Sequence, residues 1–169
     1  KRAPQVLSDV VRDFAQVQEG ENILDLYGGV GLFTSACLDE VGASGSIHLV
    51  EGSKDATSDA KSNFADEQNV HITTGDVAKV ISRINRADVI ILDPPREGAM
   101  EICKALAQLH LQNSDLLPER IVYVSCNPKT LARDADFLCH QAGYTLKGAG
   151  IVNMFPHTSH VESMAVFVR

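Results

Sequence analysis

The sequence predicts one α/β domain whose sheet is mostly parallel and ends in an antiparallel hairpin, and three observations predict it. Short apolar and β-branched runs alternate with helix-period stripes along most of the chain. Glycines and acids recur where those runs stop. After Tyr144 two strand-like runs follow one another with no helical stripe between them. No low-complexity linker or internal repeat interrupts the 169 residues, and 44% hydrophobic content is enough for one substantial core without disulfides or metal.

Taken in order, Val6, Leu7, Val10, Val11, Phe14 and Val17 give an opening helix an apolar face. Strands are predicted from Asn22 to Tyr27, Ser46 to Glu51, Val70 to Thr74, Ala87 to Asp93 and Arg120 to Ser125, each followed by a helical segment. Tyr144 to Val152 and Ser163 to Val168 form the closing pair, packed antiparallel at one side of the sheet.

Fifteen basic against twenty-two acidic side chains leave a net charge of −7. That balance argues against a free-standing nucleic-acid binder, because phosphate contacts need basic surface. The four cysteines have no C-x-x-C pairing and no local histidine partner, so reduced thiols in the cytoplasm are expected rather than zinc or disulfides. No apolar stretch is long enough to span a bilayer, and Lys-Arg-Ala-Pro-Gln does not begin a signal peptide.

The chemistry-bearing residues fall at strand ends. Cys37, Cys103 and Cys139 lie in helix-period apolar stripes and read as core; Cys126 does not. It follows Ile-Val-Tyr-Val-Ser and precedes Asn127, suited to cap a helix, and Pro128, suited to its first turn. The free N–H groups of such a helix start favour negative charge, and therefore a nucleophilic thiolate.

The first strand ends in Asp25-Leu-Tyr-Gly-Gly-Val-Gly31, a turn in which Gly29 and Gly31 let a backbone approach a ligand. A dinucleotide fingerprint wants another glycine where Thr34 stands, so the turn fits better a nucleoside with a charged amino-acid tail. Glu51, at the second strand end, can accept from both ribose hydroxyls, and Asp76 after the third can take an adenine amino group.

Asp93-Pro-Pro-Arg96-Glu-Gly98 closes the fourth strand with a stiff extended loop at the sheet edge where α/β folds bind ligands. Amino-methylating enzymes usually carry an aromatic residue where Arg96 stands, which makes exocyclic-amine methylation less favoured. His157, His160 and Glu162 suggest a metal, but the spacing is not the i, i+4 geometry of a zincin and the expectation is no metal. Glu162, just before the final strand, reads instead as a base aimed toward Cys126.

In order along the chain, Asp-Leu-Tyr-x-Gly-x-Gly, Val-Glu-Gly, Asp-Pro-Pro-Arg-x-Gly, Tyr-Val-Ser-Cys-Asn-Pro-x-Thr-Leu-Ala-Arg-Asp and Met-Phe-Pro-x-Thr-x-His-Val-Glu resemble the RNA 5-methyluridine methyltransferases. The resemblance runs from the first strand to the C-terminus. It implies a class I methyltransferase (Rossmann-like) fold with strand order 3-2-1-4-5-7-6. It also implies S-adenosylmethionine as cofactor and a uridine of tRNA or rRNA as substrate. Cys126 is then the nucleophile and Glu162 the general base, with Tyr27, Gly29, Gly31, Glu51, Asp76 and Asp93 around the cofactor. Asp93 and Arg96 border the target base.

Gly28 stands where many relatives have cysteine, and Leu32 where several have a cofactor-touching asparagine. Relatives carry a Phe-x-Gln motif upstream of the first helix, and N-terminal RNA-binding and iron–sulfur or β-barrel parts. Residues 1–169 are accordingly expected to be an excised catalytic domain, with little activity alone and its RNA grip elsewhere. A small-molecule methyltransferase with a structural Cys126, and a nonenzymatic S-adenosylmethionine-binding scaffold, are the alternatives. RNA 5-methylcytosine enzymes place a cysteine after the fourth-strand proline, where this chain has Arg96.

Overall fold

The computed structural model describes residues 3–81, 86–153 and 161–169. Strands β1 (Asn22–Leu26), β2 (Ser46–Glu51), β3 (Val70–Thr74), β4 (Val89–Leu92), β5 (Arg120–Ser125), β6 (Thr145–Asn153) and β7 (Val161–Val168) form one sheet. Its order is β3-β2-β1-β4-β5-β7-β6, as the family resemblance implied. The first five strands run parallel, and β7 is antiparallel to both β5 and β6.

The helices are α1 (Ala3–Ala15), α2 (Leu32–Val41), α3 (Lys54–Asn63), α4 (Val77–Ile81), α5 (Met100–Asn113) and α6 (Pro128–Gln141), with a single 3-10 turn at Ser114–Leu116. The central strands are apolar on both faces because helices cover both. Leu24, Leu26, Ile90, Leu92 and Tyr123 pack toward α5 and α6, while Ile23, Val89, Ile91 and Val122 pack toward α1 and α2.

Several expectations shift by a turn or less, among them the fourth strand, which is Val89–Leu92 rather than Ala87 to Asp93, and the sixth, which is Thr145–Asn153. The buried face of α1 is Leu7, Val11 and Ala15, whereas Val6 and Phe14 are 39% and 48% exposed and Val17 is buried beyond the helix end. A stripe at i, i+4 and i+8 is narrower than the full apolar set suggested. β1 stops at Leu26 because Tyr27 turns into the left-handed region at φ 59. The last strand begins at Val161, so Glu162 lies within it, paired with Val152, rather than in the loop before it.

Cys37 and Cys103 are fully buried, and burial pushes both thiols up to about 12, so neither is a nucleophile at neutral pH. Cys139 is half-buried and Cys126 is exposed.

Candidate active site

Register assembles the site. Leu26 pairs with Val50 on one side and Leu92 on the other, so the next residues, Tyr27, Glu51 and Asp93, emerge together at the carboxyl edge of the parallel strands. On the far side Ser125, the last residue of β5, pairs with Ser163 of β7, so Cys126 follows directly after that pair on one chain segment and Glu162 precedes it on the other.

The glycine turn is built chiefly from backbone. Gly28 N–H donates to Val50 O at 3.1 Å and Gly31 N–H to Gly28 O at 3.0 Å. Gly31, at φ 100, caps α2, and a Cβ there would lie 2.3 Å from the Phe64 ring. Gly29, at φ 58, would meet nothing within 4 Å and so faces open space, as a ligand cradle requires. A Cβ on Gly28 would lie 2.6 Å from Leu49 Cγ, so any larger residue there would need Leu49 to repack.

Glu51 ties two turns together. Its Oε1 accepts from Gly29 N at 3.1 Å and its Oε2 from Ser53 N at 2.8 Å, which leaves lone pairs on both oxygens for further donors. Asp76 is exposed and its Oδ1 accepts from Ala78 N at 3.0 Å, the work of an ordinary cap at the start of α4. Half-buried Tyr27 packs against the core, and burial, followed by the charge of Asp76, raises its phenol above the usual range.

Asp25 was not singled out from the sequence. It is fully buried beneath the turn; its Oδ2 accepts from Thr34 N at 3.1 Å and Thr34 Oγ1 at 2.7 Å. Its Oδ1 has no partner among the described residues. Burial raises its pKa to about 6 against the Thr34 hydrogen bonds. The available signal was an acid inside an otherwise apolar strand, Asn-Ile-Leu-Asp-Leu.

On the other half of the edge, Asp93 is pushed up to about 7, chiefly by burial and then by the charges of Glu162, Asp25 and Glu51. Pro94 is buried, while Pro95, Arg96 and Glu97 are exposed. Burial raises the Glu162 carboxyl too, and its Oε2 is buried without a partner among the described residues. Cys126 sits exposed where β5 passes into α6. Asn127 caps that helix, Oδ1 accepting from Lys129 N at 3.1 Å, with Pro128 in the first turn, as the sequence suggested.

The predicted site residues therefore gather at one sheet edge in two groups. Tyr27, Gly29, Gly31, Glu51 and Asp76 surround the β1 turn, and Asp93, Arg96, Cys126 and Glu162 surround the end of β5. His157 and His160 lie outside the described residues. Among the described residues no cluster of three metal-ligating side chains occurs, and no helix is long and apolar enough to cross a membrane.

A parallel sheet closed by a reversed seventh strand, with a glycine turn and strand-end acids, defines the class I methyltransferase fold, and solved structures agree. The chain superposes on TrmN from Thermus thermophilus with a TM-score of 0.73 at 17% identity, covering 98% of this chain and 48% of that one. Aeropyrum pernix fibrillarin, solved with natively bound S-adenosyl-L-methionine, gives 0.65 at 19% identity over 89% of this chain and 67% of its own. The family model for tRNA (uracil-5-)-methyltransferase matches residues 5–169, and the chain belongs to that family.

Among curated relatives, the 23S rRNA (uracil(1939)-C(5))-methyltransferase RlmD of Polynucleobacter necessarius is 53% identical over 91% of this chain and 33% of its own length. The enzyme of the same name from Cupriavidus pinatubonensis is 49% identical over 90% and 34%. The chain thus spans about a third of the length of these relatives.

Proposed function

We propose that residues 1–169 form the S-adenosylmethionine-dependent catalytic domain of a cytoplasmic enzyme that methylates C5 of a uridine in rRNA or tRNA. The observation that carries the reading is the Ser125–Ser163 pair of β5 and β7, beside which stand the Cys126 thiol on one strand end and, on the other strand, the Glu162 carboxyl, whose Oε2 is buried with no partner among the described residues. Family membership and the names of the RlmD relatives support uracil C5 as the target.

The residues of the β1 turn suit the cofactor. Gly29 leaves open space beside the backbone, Glu51 keeps lone pairs free for ribose hydroxyls, and Asp25, Glu51 and Asp93 together suit a ligand carrying positive charge. Asp25 Oδ1 has no partner among the described residues and keeps its acceptor capacity beneath the turn. When bound, S-adenosylmethionine supplies an electrophilic methyl group.

On the substrate side, Cys126 Sγ adds to C6 of the uracil, and the electrons displaced from the C5–C6 double bond make C5 nucleophilic. After C5 gains its methyl group, Glu162 removes the C5 proton, the C5–C6 double bond re-forms and the sulfur leaves with its electron pair. A carboxylate whose pKa burial has raised is a stronger base than one in water, which fits Glu162 to this step. Arg96 and Asp93 border the base, and the stiff Asp-Pro-Pro backbone limits their movement. At −7 the chain contributes little long-range attraction for RNA, so basic surface elsewhere in the natural polypeptide belongs to the proposal.

The test is methyl transfer from labelled S-adenosylmethionine to unmodified rRNA and tRNA transcripts by the natural full-length polypeptide carrying this sequence. Cys126→Ala should abolish both transfer and adduct formation. Glu162→Gln should accumulate a denaturation-resistant band containing protein, RNA and the label. Normal turnover by either variant removes that residue from the mechanism.

A further inference from the structure

The loop from Asp93 to Ala99 is held by side chains of the helix that begins just after Cys126. Thr130 Oγ1 and Asn127 Nδ2 both donate to Arg96 O, each at 3.1 Å. One turn further on, Arg133 Nη2 donates to Glu97 O at 3.0 Å, and Asp134 Oδ2 accepts from Ala99 N at 2.8 Å. Three loop residues, Arg96, Glu97 and Ala99, are thus gripped at one backbone group each by four residues on the first two turns of α6 and its cap.

The grip is itself anchored. Asp134 is completely buried; its Oδ2 also accepts from Tyr123 Oη at 2.5 Å, and its Oδ1 accepts from Arg133 Nε at 3.0 Å and Nη2 at 2.9 Å. Tyr123 lies on β5, three residues before Cys126, so the same carboxylate joins the strand before the thiol, the helix after it and the facing loop. Gly98, at φ 86, makes the approach possible, since a Cβ there would lie 2.8 Å from Asp134 Oδ2 and 2.7 Å from Arg133 Nη2.

A surface loop with two prolines needs little of this merely to stay folded. Satisfying a buried carboxylate with four donors, while spending two more side-chain donors on one exposed-loop carbonyl, fixes the loop to the thiol's helix as one body. The side chain of Arg96 remains exposed, and no ion-pair partner of it is seen among the described residues. Its backbone is clamped while its guanidinium is left for a ligand.

We propose that Thr130, Arg133 and Asp134 are positioning residues that set the target base against Cys126 by clamping the Asp93–Ala99 loop to α6. This rests on the reading of Cys126 as nucleophile and of Asp93 and Arg96 as borders of the base. The clamp acts on alignment, not on RNA affinity and not on the thiol itself.

Thr130→Val is nearly isosteric and removes the hydroxyl, Thr130→Ser keeps it, and Arg133→Met removes the donor to Glu97 O. In the natural full-length polypeptide, with the RNA transcript that the wild type methylates, each deletion should lower kcat by roughly tenfold with KM little changed, as expected for loss of alignment. Thr130→Ser should restore wild-type turnover. Alkylation of Cys126 by iodoacetamide, followed in the same proteins, should stay within about twofold of wild type. Thermal melts report whether the variants remain folded.

Unchanged kcat in both Thr130→Val and Arg133→Met overturns the clamp. A rise in KM at constant kcat overturns it by making these residues RNA contacts. Alkylation that slows in step with kcat overturns it by moving the effect to the thiol. A Cys126→Ala protein that still methylates overturns the nucleophile assignment, and the clamp with it, so the two failures are read from different proteins.

Discussion

The two halves of the sheet's carboxyl edge are built by different means. Around β1 and β2 the turn is held mostly by backbone hydrogen bonds and positive-φ glycines; Glu51 accepts main-chain N–H groups, and Asp25 reaches across the turn to Thr34 only nine residues on. Around β4, β5 and α6 the loops are held by side chains from distant positions, with buried Asp134 receiving donors from three separate elements. A backbone-built cradle suits a ligand whose shape is fixed. A side-chain-built frame suits a reaction in which the spacing between a nucleophile and a base must be set independently of the cofactor.

The sharpest way to break this comparison is to remove the anchor of the second half. Asp134→Ala leaves Ala99 N–H and Tyr123 O–H without their acceptor and Arg133 without its carboxylate. It should destabilise the domain by about 3–5 kcal/mol in urea unfolding. A loss below about 1 kcal/mol would mean that the network is not structurally coupled.

Asp25 tests the first half through pH. Its carboxyl titrates near 6 in the folded state, above its ordinary 3.8, so the folded state holds the proton more tightly than the unfolded chain. Stability from this group is fully present below about pH 4 and is lost as pH rises through about 6, a change of about 3 kcal/mol. Asp25→Asn should flatten this part of the stability–pH curve. An unchanged slope between pH 4 and 6 would show that Asp25 ionises without penalty.

Smaller effects separate the two glycines. Gly31→Ala adds a clash with Phe64 to backbone strain and should cost about 2–3 kcal/mol, whereas Gly29→Ala adds only strain and should cost about 1 kcal/mol. Equal losses would show that Phe64 yields. In the range between those two, Glu51→Ala should weaken S-adenosylmethionine binding in calorimetric titration by about 1.5 kcal/mol, roughly tenfold. Unchanged affinity would remove Glu51 from the cofactor site.

The same contrast explains what the sequence disclosed. The order of strands and helices, the glycine turn, the strand-end acids and the cap-and-proline start of α6 are local patterns, and each was legible in consecutive residues. Asp134 was not, although it stands three residues after Leu131 and four before Leu138, in the apolar register of α6. Its ion-pair partner, Arg133, is the neighbouring residue, but the neutral donors that complete its burial, Tyr123 and Ala99, lie 11 and 35 positions away. Asp25 escaped notice for a related reason: beside glycines it reads as turn chemistry, and only the fold shows it beneath the turn, facing Thr34. The exposed flank of α1 was misjudged because apolar residues on a helix do not all face inward.

The central claim is that Cys126 makes a covalent bond to C6 of the uridine. An RNA transcript carrying 5-fluorouridine in place of uridine, incubated with S-adenosylmethionine and the natural full-length polypeptide, should trap the adduct, because the C5 fluorine cannot leave as a proton to Glu162. After digestion, mass spectrometry should find a methylated fluorouridine nucleotide on the peptide containing Cys126. A crosslink on any other residue, or none at all while ordinary RNA is methylated, would contradict the account.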